Sequence, residues 1–155
     1  MTVCIIDTTI FCELLKVPFR SDESDAMISA LAVKLEEKES LLLPTATIFE
    51  TGNHIAQNGD GRQRRQTAEK FVDQVRKALN GDSPFTLTPF DDPSRMLGWL
   101  NDFPSSAETG SGFGDLSIIK AWEEQCARNT MRRVYIWSKD AHLQAYDRDP
   151  SHLRN

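Results

Sequence analysis

The sequence lacks the features that mark membrane and secreted proteins. No apolar run approaches the roughly 20 residues that a membrane-spanning helix needs, so we expect no contact with a membrane. The chain also opens without the charged segment and apolar core of a secretory signal, because Met1-Thr2 leads directly into an apolar, β-branched segment. These absences predict a cytoplasmic protein.

Paired cysteines and an excess of positive charge are lacking as well. The three cysteines, Cys4, Cys12 and Cys126, are odd in number and none stand in CxxC spacing, which predicts reduced structural thiols and no zinc site. Lysine and arginine total 18 against 23 acidic residues, and the net charge of −5 argues against a general nucleic-acid coat. A nuclease is still compatible with this charge, because a metal cluster and a small basic patch can offset it locally.

What the chain does contain is the composition of a globular domain. Its 155 residues are 39% hydrophobic and 26% charged, which suits a single domain with a substantial core. We predict one domain over residues 1–146, followed by a polar, frayed tail over residues 147–155.

Short apolar segments alternate with amphipathic segments along the whole chain. The predicted strands are Thr2–Ile6, Leu41–Leu43, Phe85–Leu87 and Arg133–Trp137. The predicted helices are Phe11–Lys16, Asp22–Lys38 capped by Ser24 or Asp22, one capped by Thr45 or Thr47, Arg62–Leu79, a short one from Pro93, Asp115–Arg128 and Ala141–Tyr146, with a loop over Pro104–Gly114. This alternation predicts a three-layer α/β/α sandwich around a mostly parallel sheet.

Four carboxylates stand near the ends of separate predicted strands. Asp7 closes the first strand, Glu50 lies on the helix after the second, Asp115 opens a helix, and Asp140 follows the last strand. Because ligands bind beyond the carboxyl ends of parallel strands, we expect these acids to converge. Clustered carboxylates repel one another, and a hard divalent cation with oxygen ligands relieves the repulsion. The pattern therefore predicts a Mg²⁺ or Mn²⁺ site and phosphate chemistry.

Each of these acids also has a purely structural interpretation. Asp7 could close a strand as a turn residue, and Asp115 or Asp140 could cap a helix or favour its dipole. Glu50 could be a solvated side chain on a half-polar helix. Their joint placement favours a shared site, and the structural interpretation stays open for Glu50.

Three stretches of the chain each join one of these acids to a predicted strand or helix: residues 5–10 (IIDTTI), 114–121 (GDLSIIKA) and 136–143 (IWSKDAHL). Together they resemble the PIN domain, a family of metal-dependent nucleases that includes the VapC toxins of bacterial toxin–antitoxin pairs. Ile5-Ile6-Asp7-Thr8-Thr9-Ile10 is similar to the family's opening strand ending in Asp-Thr/Ser. The stretch from Gly114 to Ala121, GDLSIIKA, resembles its Asp-x-x-Ile helix, and Ile136 to Leu143, IWSKDAHL, its closing Thr/Ser-x-Asp element. Glu50 takes the place of the family's glutamate.

The resemblance implies a five-stranded parallel sheet and roles for the four acids. Asp7 and Asp115 would ligate the metal directly, Glu50 would bind through water or position the nucleophile, and Asp140 would complete the cage or bind a second ion. Thr8 and Ser138 would support these groups by hydrogen bonding to a carboxylate or a metal-bound water.

The same resemblance implies an endoribonuclease that is the toxin of a type II toxin–antitoxin module. Its partners would be RNA, an antitoxin that covers the active site, and a second copy in a homodimer. One alternative is a PIN-fold nuclease of RNA processing or antiviral defence. Another is a catalytically silent binding module. Many toxins of the family carry a further acidic residue shortly after the last aspartate, and its replacement here by Ala141 and His142 favours this alternative.

Several other residues have weaker predicted roles. Candidate RNA contacts, each with solvated surface as the alternative, are Arg62, Arg64, Arg65 and Lys139. His54 follows Glu50 by four residues on the same helix face and could contact the site, but a surface histidine is the favoured interpretation. Gly110–Gly114 is predicted to be a flexible connection that lets Asp115 approach the metal. An apolar cluster is predicted to pack in the core or to form a groove or dimer surface: Phe11, Leu14, Leu15, Val17 and Phe19.

Overall fold

Strands and helices alternate along residues 1–154, which the computed structural model describes together with the side chains of residues 1–152. The five strands are β1 (Val3–Ile6), β2 (Ser40–Leu43), β3 (Phe85–Leu87), β4 (Val134–Trp137) and β5 (Asp147–Arg148). The seven α-helices are α1 (Thr8–Leu15), α2 (Ser24–Glu36), α3 (Thr45–Gln57), α4 (Gly61–Asn80), α5 (Pro93–Glu108), α6 (Phe113–Arg128) and α7 (Ala141–Gln144), and a 3₁₀ helix spans Pro150–Arg154.

The strands form one sheet in the order β3-β2-β1-β4-β5. β1 pairs in parallel with β2 and β4, and β2 pairs in parallel with β3. In this register Ile5 lies beside Leu42 and Ile136, so the carboxyl ends of the three central strands lie at one edge. The prediction of an α/β fold with a mostly parallel five-stranded sheet is confirmed.

The central strand is buried on both faces because all four of its side chains are apolar. Alternate residues of a strand point to opposite faces, and Cys4 and Ile6 join a core with residues of α1, α3 and α4. Val3 and Ile5 join a second core that contains Ile118 of α6. Helices thus cover both faces, as in a three-layer sandwich, and each buried Ile or Val contributes about 1.5–3 kcal/mol.

The predicted loop over Pro104–Gly114 is wrong, because α5 continues through Pro104 to Glu108. Aromatic packing explains the extra length. The rings of Trp99 and Phe103 contact the ring of Phe113 edge to face, with centroids 6.1 and 5.2 Å apart. The packing of these rings against α6 stabilises the continued helix and opposes the loss of the backbone hydrogen bond that Pro104 cannot donate. The connection between α5 and α6 is therefore only residues 109–112.

The predicted helix caps also differ from those observed. The N-cap of α2 is Glu23 and that of α3 is Pro44, and neither makes a side-chain capping bond. Thr47, a predicted cap, instead donates from Oγ1 to the carbonyl of Ile6 at 2.8 Å. This bond satisfies the last carbonyl of β1 and ties α3 to the edge where Asp7 begins α1.

The polar tail begins with residues that pair with the sheet. Asp147 and Arg148 form β5, which runs antiparallel to β4, unlike the fully parallel sheet implied by the resemblance. Arg133 binds the Asp147 carboxylate through two nitrogens at 3.0 and 2.6 Å. Arg148 donates to the carbonyls of Cys126, Asn129 and Arg132. These two residues are therefore not frayed.

Cys4, Cys12 and Cys126 are free. Among residues 1–154, no helix has both the length and the apolar character needed to cross a bilayer.

Candidate active site

A cavity of about 320 Å³ lies at the carboxyl edge of the sheet, and all four predicted acids line it. Asp7 follows β1, Asp140 follows β4, Glu50 lies on α3, and Asp115 lies in the first turn of α6. The side chains come from positions as far apart as residues 7 and 140, so only the fold brings them together.

Asp7 is 3% exposed and is held by hydroxyl groups. It is the N-cap of α1, and its Oδ2 accepts from the backbone nitrogen and Oγ1 of Thr9 at 3.3 and 2.8 Å. Ser138 Oγ donates to the same oxygen at 2.7 Å. Within the described residues Oδ1 has no such partner, so one oxygen of a buried carboxylate is left for a ligand. Capping and ligand binding are therefore compatible roles for this residue.

Glu50 is half-buried and is positioned by Thr8 and Gly114. Thr8 donates from Oγ1 to Glu50 Oε2 at 2.9 Å. A Cβ on Gly114 would overlap the Glu50 carboxylate, with Cδ only 2.9 Å away. Burial raises the pKa of Glu50, the charges of Asp115 and Asp7 raise it further, and the bond from Thr8 opposes them. Glu50 is thus part of the cluster and not a solvated helix residue.

Asp115 is the third residue of α6, which begins after Gly112. Burial raises the pKa of its carboxyl, and the negative charges of Asp7 and Asp140 add to that effect. These shifts have the sign expected of carboxylates that share one low-dielectric site. The first turn of a helix is also favourable for an acid, so the helix stabilises Asp115 where its neighbours repel it.

Asp140 and Ser138 join the end of β4 to the end of β1. Asp140 is the N-cap of α7 and accepts from the His142 backbone nitrogen at 2.9 Å. Its own nitrogen donates to Ser138 Oγ at 2.9 Å, and that hydroxyl donates to Asp7. One serine hydroxyl therefore links the carboxylate of Asp7 to the backbone of Asp140.

Among residues 1–152, three basic side chains line the cavity that holds the four carboxylates. Lys139 lines the cavity, but its Nζ lies 2.6 Å from Glu13, 2.9 Å from Asp22 and 3.4 Å from Glu23. The remaining basic side chains in the lining are Arg20 and His54. Most of the negative charge on the four carboxylates is therefore unmatched by protein cations.

The donor set of the cavity fits a hard divalent cation. All four acids offer oxygen, whereas the nearby Cys12 thiol stays protonated because burial raises its pKa to about 11. No three acidic, histidine or cysteine side chains in the described part of the chain converge closely enough to ligate one ion. Direct ligation by two carboxylates with water completing the shell is the pattern that Mg²⁺ commonly takes.

The basic residues predicted to contact RNA lie elsewhere or are engaged. Arg62, Arg64 and Arg65 stand on the first turns of α4 and do not line the cavity. Arg64 donates to the Gly59 carbonyl at 2.8 Å, and Arg65 pairs with Glu69 at 3.1 Å. Lys139 lies at the cavity but is bound to the carboxylates named above.

Further residues complete the lining of the cavity. Thr9, which has no predicted role of its own, binds Asp7 and also accepts from the Lys139 backbone nitrogen at 3.0 Å. His54 lines the cavity, and its Nδ1 is buried without a hydrogen bond. The interpretation of His54 as a surface residue is therefore wrong, and its spacing of four residues from Glu50 was the signal for the alternative, contact with the site. Arg20 had no local signal, because its position depends on the turn that precedes α2.

Two further expectations are corrected. Gly114 belongs to the first turn of α6 and serves close packing against Glu50, so it is not part of a flexible connection. Phe11, Leu15 and Val17 are buried as predicted, but Phe19 is 87% exposed and lines the cavity.

In comparisons with known proteins, no family model, no curated protein and no solved structure matches this chain.

Proposed function

We propose that the protein is a PIN-like, divalent-metal-dependent endoribonuclease that hydrolyses phosphodiester bonds in RNA. The observation that supports this most is the convergence of four carboxylates from four elements on one cavity, with one oxygen of buried Asp7 left open. Acids that served only as caps would have no reason to share a cavity or to be so poorly balanced by cations.

Asp7 and Asp115 are the proposed direct ligands, and Asp140 and Glu50 act through water. A Mg²⁺ or Mn²⁺ ion bound there would lower the pKa of a bound water and neutralise charge on the phosphate oxygens. Thr9 and Ser138 hold Asp7 in place by their hydroxyl bonds to Oδ2. Substitution of these hydroxyls would therefore disturb a ligand without removing it.

Glu50 is the proposed proton acceptor for the attacking water. Thr8 holds its Oε2, and Gly114 allows the carboxylate to lie against α6. Burial and the neighbouring acids raise its pKa, which makes it a stronger base than a solvated glutamate.

Single-stranded loops of structured RNA are the proposed substrate, because their backbone and bases are accessible to a cavity of this size. The finer assignment, a cytoplasmic toxin of a type II toxin–antitoxin module, is supported by the resemblance of the three stretches. This assignment implies two further partners, which are an antitoxin that covers the cavity and a second copy of the chain in a homodimer. A PIN-fold nuclease of RNA processing or antiviral defence shares the chemistry, and a neighbouring antitoxin gene would favour the toxin.

The test is cleavage of a mixed tRNA and rRNA pool by the purified protein with Mg²⁺, with Mn²⁺ and with EDTA. Asp7→Asn and Asp115→Asn should abolish cutting and keep the fold, as judged by circular dichroism. Asp92→Asn is the matched control, because Asp92 is also an N-cap aspartate, at the start of α5, and does not line the cavity. Loss of both fold and activity in the cavity variants would contradict a catalytic role.

A silent binding module is the second candidate. It is favoured by the absence, among the described residues, of three ligands grouped around one point. Well-folded protein that cuts no RNA in any metal, and that no divalent ion stabilises, would support this candidate against the nuclease.

A further inference from the structure

The rim of the cavity carries two residues that the proposed chemistry does not use, Phe19 and Arg20. Phe19 is 87% exposed, more than any other large apolar side chain whose exposure the structure describes. Its backbone has a φ of 62°, in the left-handed region that a bulky residue adopts only at a free-energy cost. A solvated aromatic ring in a strained conformation is unfavourable in the isolated protein, and such residues are found where a ligand makes use of them.

The turn that presents Phe19 is fixed on both sides. Val17 is fully buried, and its carbonyl accepts from the Arg20 nitrogen at 3.0 Å and from Ser21 Oγ at 2.7 Å. Pro18 lies against Gly59, where an added Cβ would be 3.2 Å from Pro18 Cγ. The ring therefore projects from an ordered turn. Because the backbone of this turn is already fixed, it loses little conformational freedom when a ligand binds.

Arg20 is the cation of the rim that is available to a ligand. It forms no ion pair within residues 1–152, whereas Lys139 on the same cavity lies within 3.4 Å of three carboxylates. An exposed guanidinium beside an exposed aromatic ring offers one partner for a phosphate and one for a base.

We propose that Phe19 stacks on a base of single-stranded RNA while Arg20 binds an adjacent phosphate, which together position the strand over the carboxylates. This inference rests on the proposed nuclease function and names two residues that would bind its single-stranded substrate. Bases in an A-form duplex are stacked on one another and are not free to cover the ring, so the pair selects unpaired nucleotides.

Binding is tested in the Asp7→Asn background, so that labelled RNA of about ten nucleotides remains intact in Mg²⁺ during fluorescence anisotropy. Phe19→Leu keeps an apolar side chain without a π face and should weaken binding about 5- to 150-fold. Phe90→Leu is the matched control, because Phe90 is 71% exposed and does not line the cavity. The affinity of this variant for the RNA should not change. Arg20→Gln should weaken binding and lower the salt dependence by about one counterion.

Phe19→Gly separates stacking from folding. Glycine adopts positive φ without steric cost, so this variant should be at least as stable as the parent and yet bind as weakly as Phe19→Leu. An RNA with an abasic site at the stacked nucleotide should bind the parent more weakly and bind Phe19→Leu no worse than before. Such non-additivity is the signature of a direct contact.

The outcomes distinguish this inference from the function on which it rests. If Phe19→Leu and Phe19→Gly bind RNA as tightly as the parent, stacking is refuted while cleavage by the wild-type protein can still hold. If Phe19 contributes to binding but the wild-type protein cuts nothing in any metal, stacking stands and the nuclease fails. Equal binding of duplex and single strand would refute the proposed selectivity, and no binding by the parent would refute the inference altogether.

Discussion

Two buried acids on the same helical segment, Asp7 and Glu13, are treated very differently by the fold. Glu13 is fully buried and has a cation of its own, because Lys139 Nζ lies 2.6 Å from its Oε1. Its other oxygen accepts from the Glu23 backbone nitrogen at 3.1 Å. Asp7 is almost as buried, but its partners are hydroxyls and one backbone nitrogen, all on a single oxygen.

The difference separates a structural acid from one that is open to a ligand. A buried charge is costly unless it is paired, and the fold supplies the pair for Glu13. For Asp7 it supplies orientation and leaves the charge unbalanced, with Glu50, Asp115 and Asp140 nearby. A site that needs a cation from solution is expected to look like the second case.

The largest effect should come from removing the charge of Asp7. Asp7→Asn keeps the size and the capping oxygen, so we expect a folded protein whose RNA cleavage is lost to the detection limit, a fall of at least about 10³-fold that corresponds to roughly 4 kcal/mol of transition-state stabilisation. Glu13→Gln should retain cleavage in the folded fraction and lose stability. Rates measured on the RNA pool with equal folded protein make the comparison, and equal losses of rate in both variants would remove the distinction.

Removing the cation from the structural pair comes next. Lys139→Met leaves Glu13 buried without its partner and should lower the free energy of unfolding by about 3 kcal/mol. Urea denaturation followed by circular dichroism measures the loss. Lys77→Met is the control, because the pair of Lys77 with Asp73 is half exposed and should contribute under about 1 kcal/mol. Equal losses in the two variants would show that Glu13 does not depend on Lys139.

A smaller effect is expected from closing the contact between α6 and Glu50. Gly114→Ala places a methyl group into the Glu50 carboxylate and should lower the free energy of unfolding by about 1–3 kcal/mol and slow cleavage. Gly98→Ala in α5, where an added Cβ meets nothing within 4 Å, should instead stabilise the protein by up to about 1 kcal/mol. If Gly114→Ala were stabilised like Gly98→Ala, the Glu50 carboxylate would not be held against α6.

The smallest effect is a pH dependence of metal-free stability. Folding raises the pKa of Asp115 above its ordinary value of 3.8, so the folded state holds its proton more tightly than the unfolded state. The protonated carboxyl of Asp115 therefore contributes to the stability of the folded state. This contribution is fully present below pH 3.8 and is lost as the pH rises through the raised pKa. Asp115→Asn should therefore gain stability relative to the wild-type protein as the pH rises over that window.

Thermal unfolding at a series of pH values in EDTA gives this difference directly. A constant difference between the two proteins over the window would mean that neither burial nor the neighbouring acids raise the pKa of Asp115 on folding. The stability of Glu50→Gln relative to the wild-type protein should change with pH in the same direction, because burial and the charges of Asp115 and Asp7 raise the pKa of Glu50.

The sequence alone predicted the four parallel strands of the sheet and the convergence of the four acids, because the signals for both are local. Val3–Ile6 is apolar at every position, as a doubly buried strand must be, and each acid stands at a fixed distance from a strand or a helix start. Parallel topology then dictates that the ends of β1 and β4 meet at one edge. These inferences needed no knowledge of how side chains pack.

What the sequence could not predict depends on contacts between distant elements. The end of α5 depends on Phe103 meeting Phe113, and the two strand residues of the tail depend on Arg133. The partner of Lys139 was also beyond reach, because Glu13 lies 126 positions away in the chain. The sequence also left open whether Phe19 packs in the core or lies at the surface, because apolar character indicates burial only on average, and Phe19 is exposed.

The most direct measurement is the free energy of unfolding as a function of Mg²⁺ and Mn²⁺ concentration, at constant ionic strength, for the wild-type protein and Asp7→Asn. A cation that binds only the folded protein stabilises it by about 2.7 kcal/mol at a hundred times its Kd. We predict this gain for the wild-type protein and little or none for Asp7→Asn. No gain in the wild-type protein, or an equal gain in both, would contradict a divalent cation site at these carboxylates.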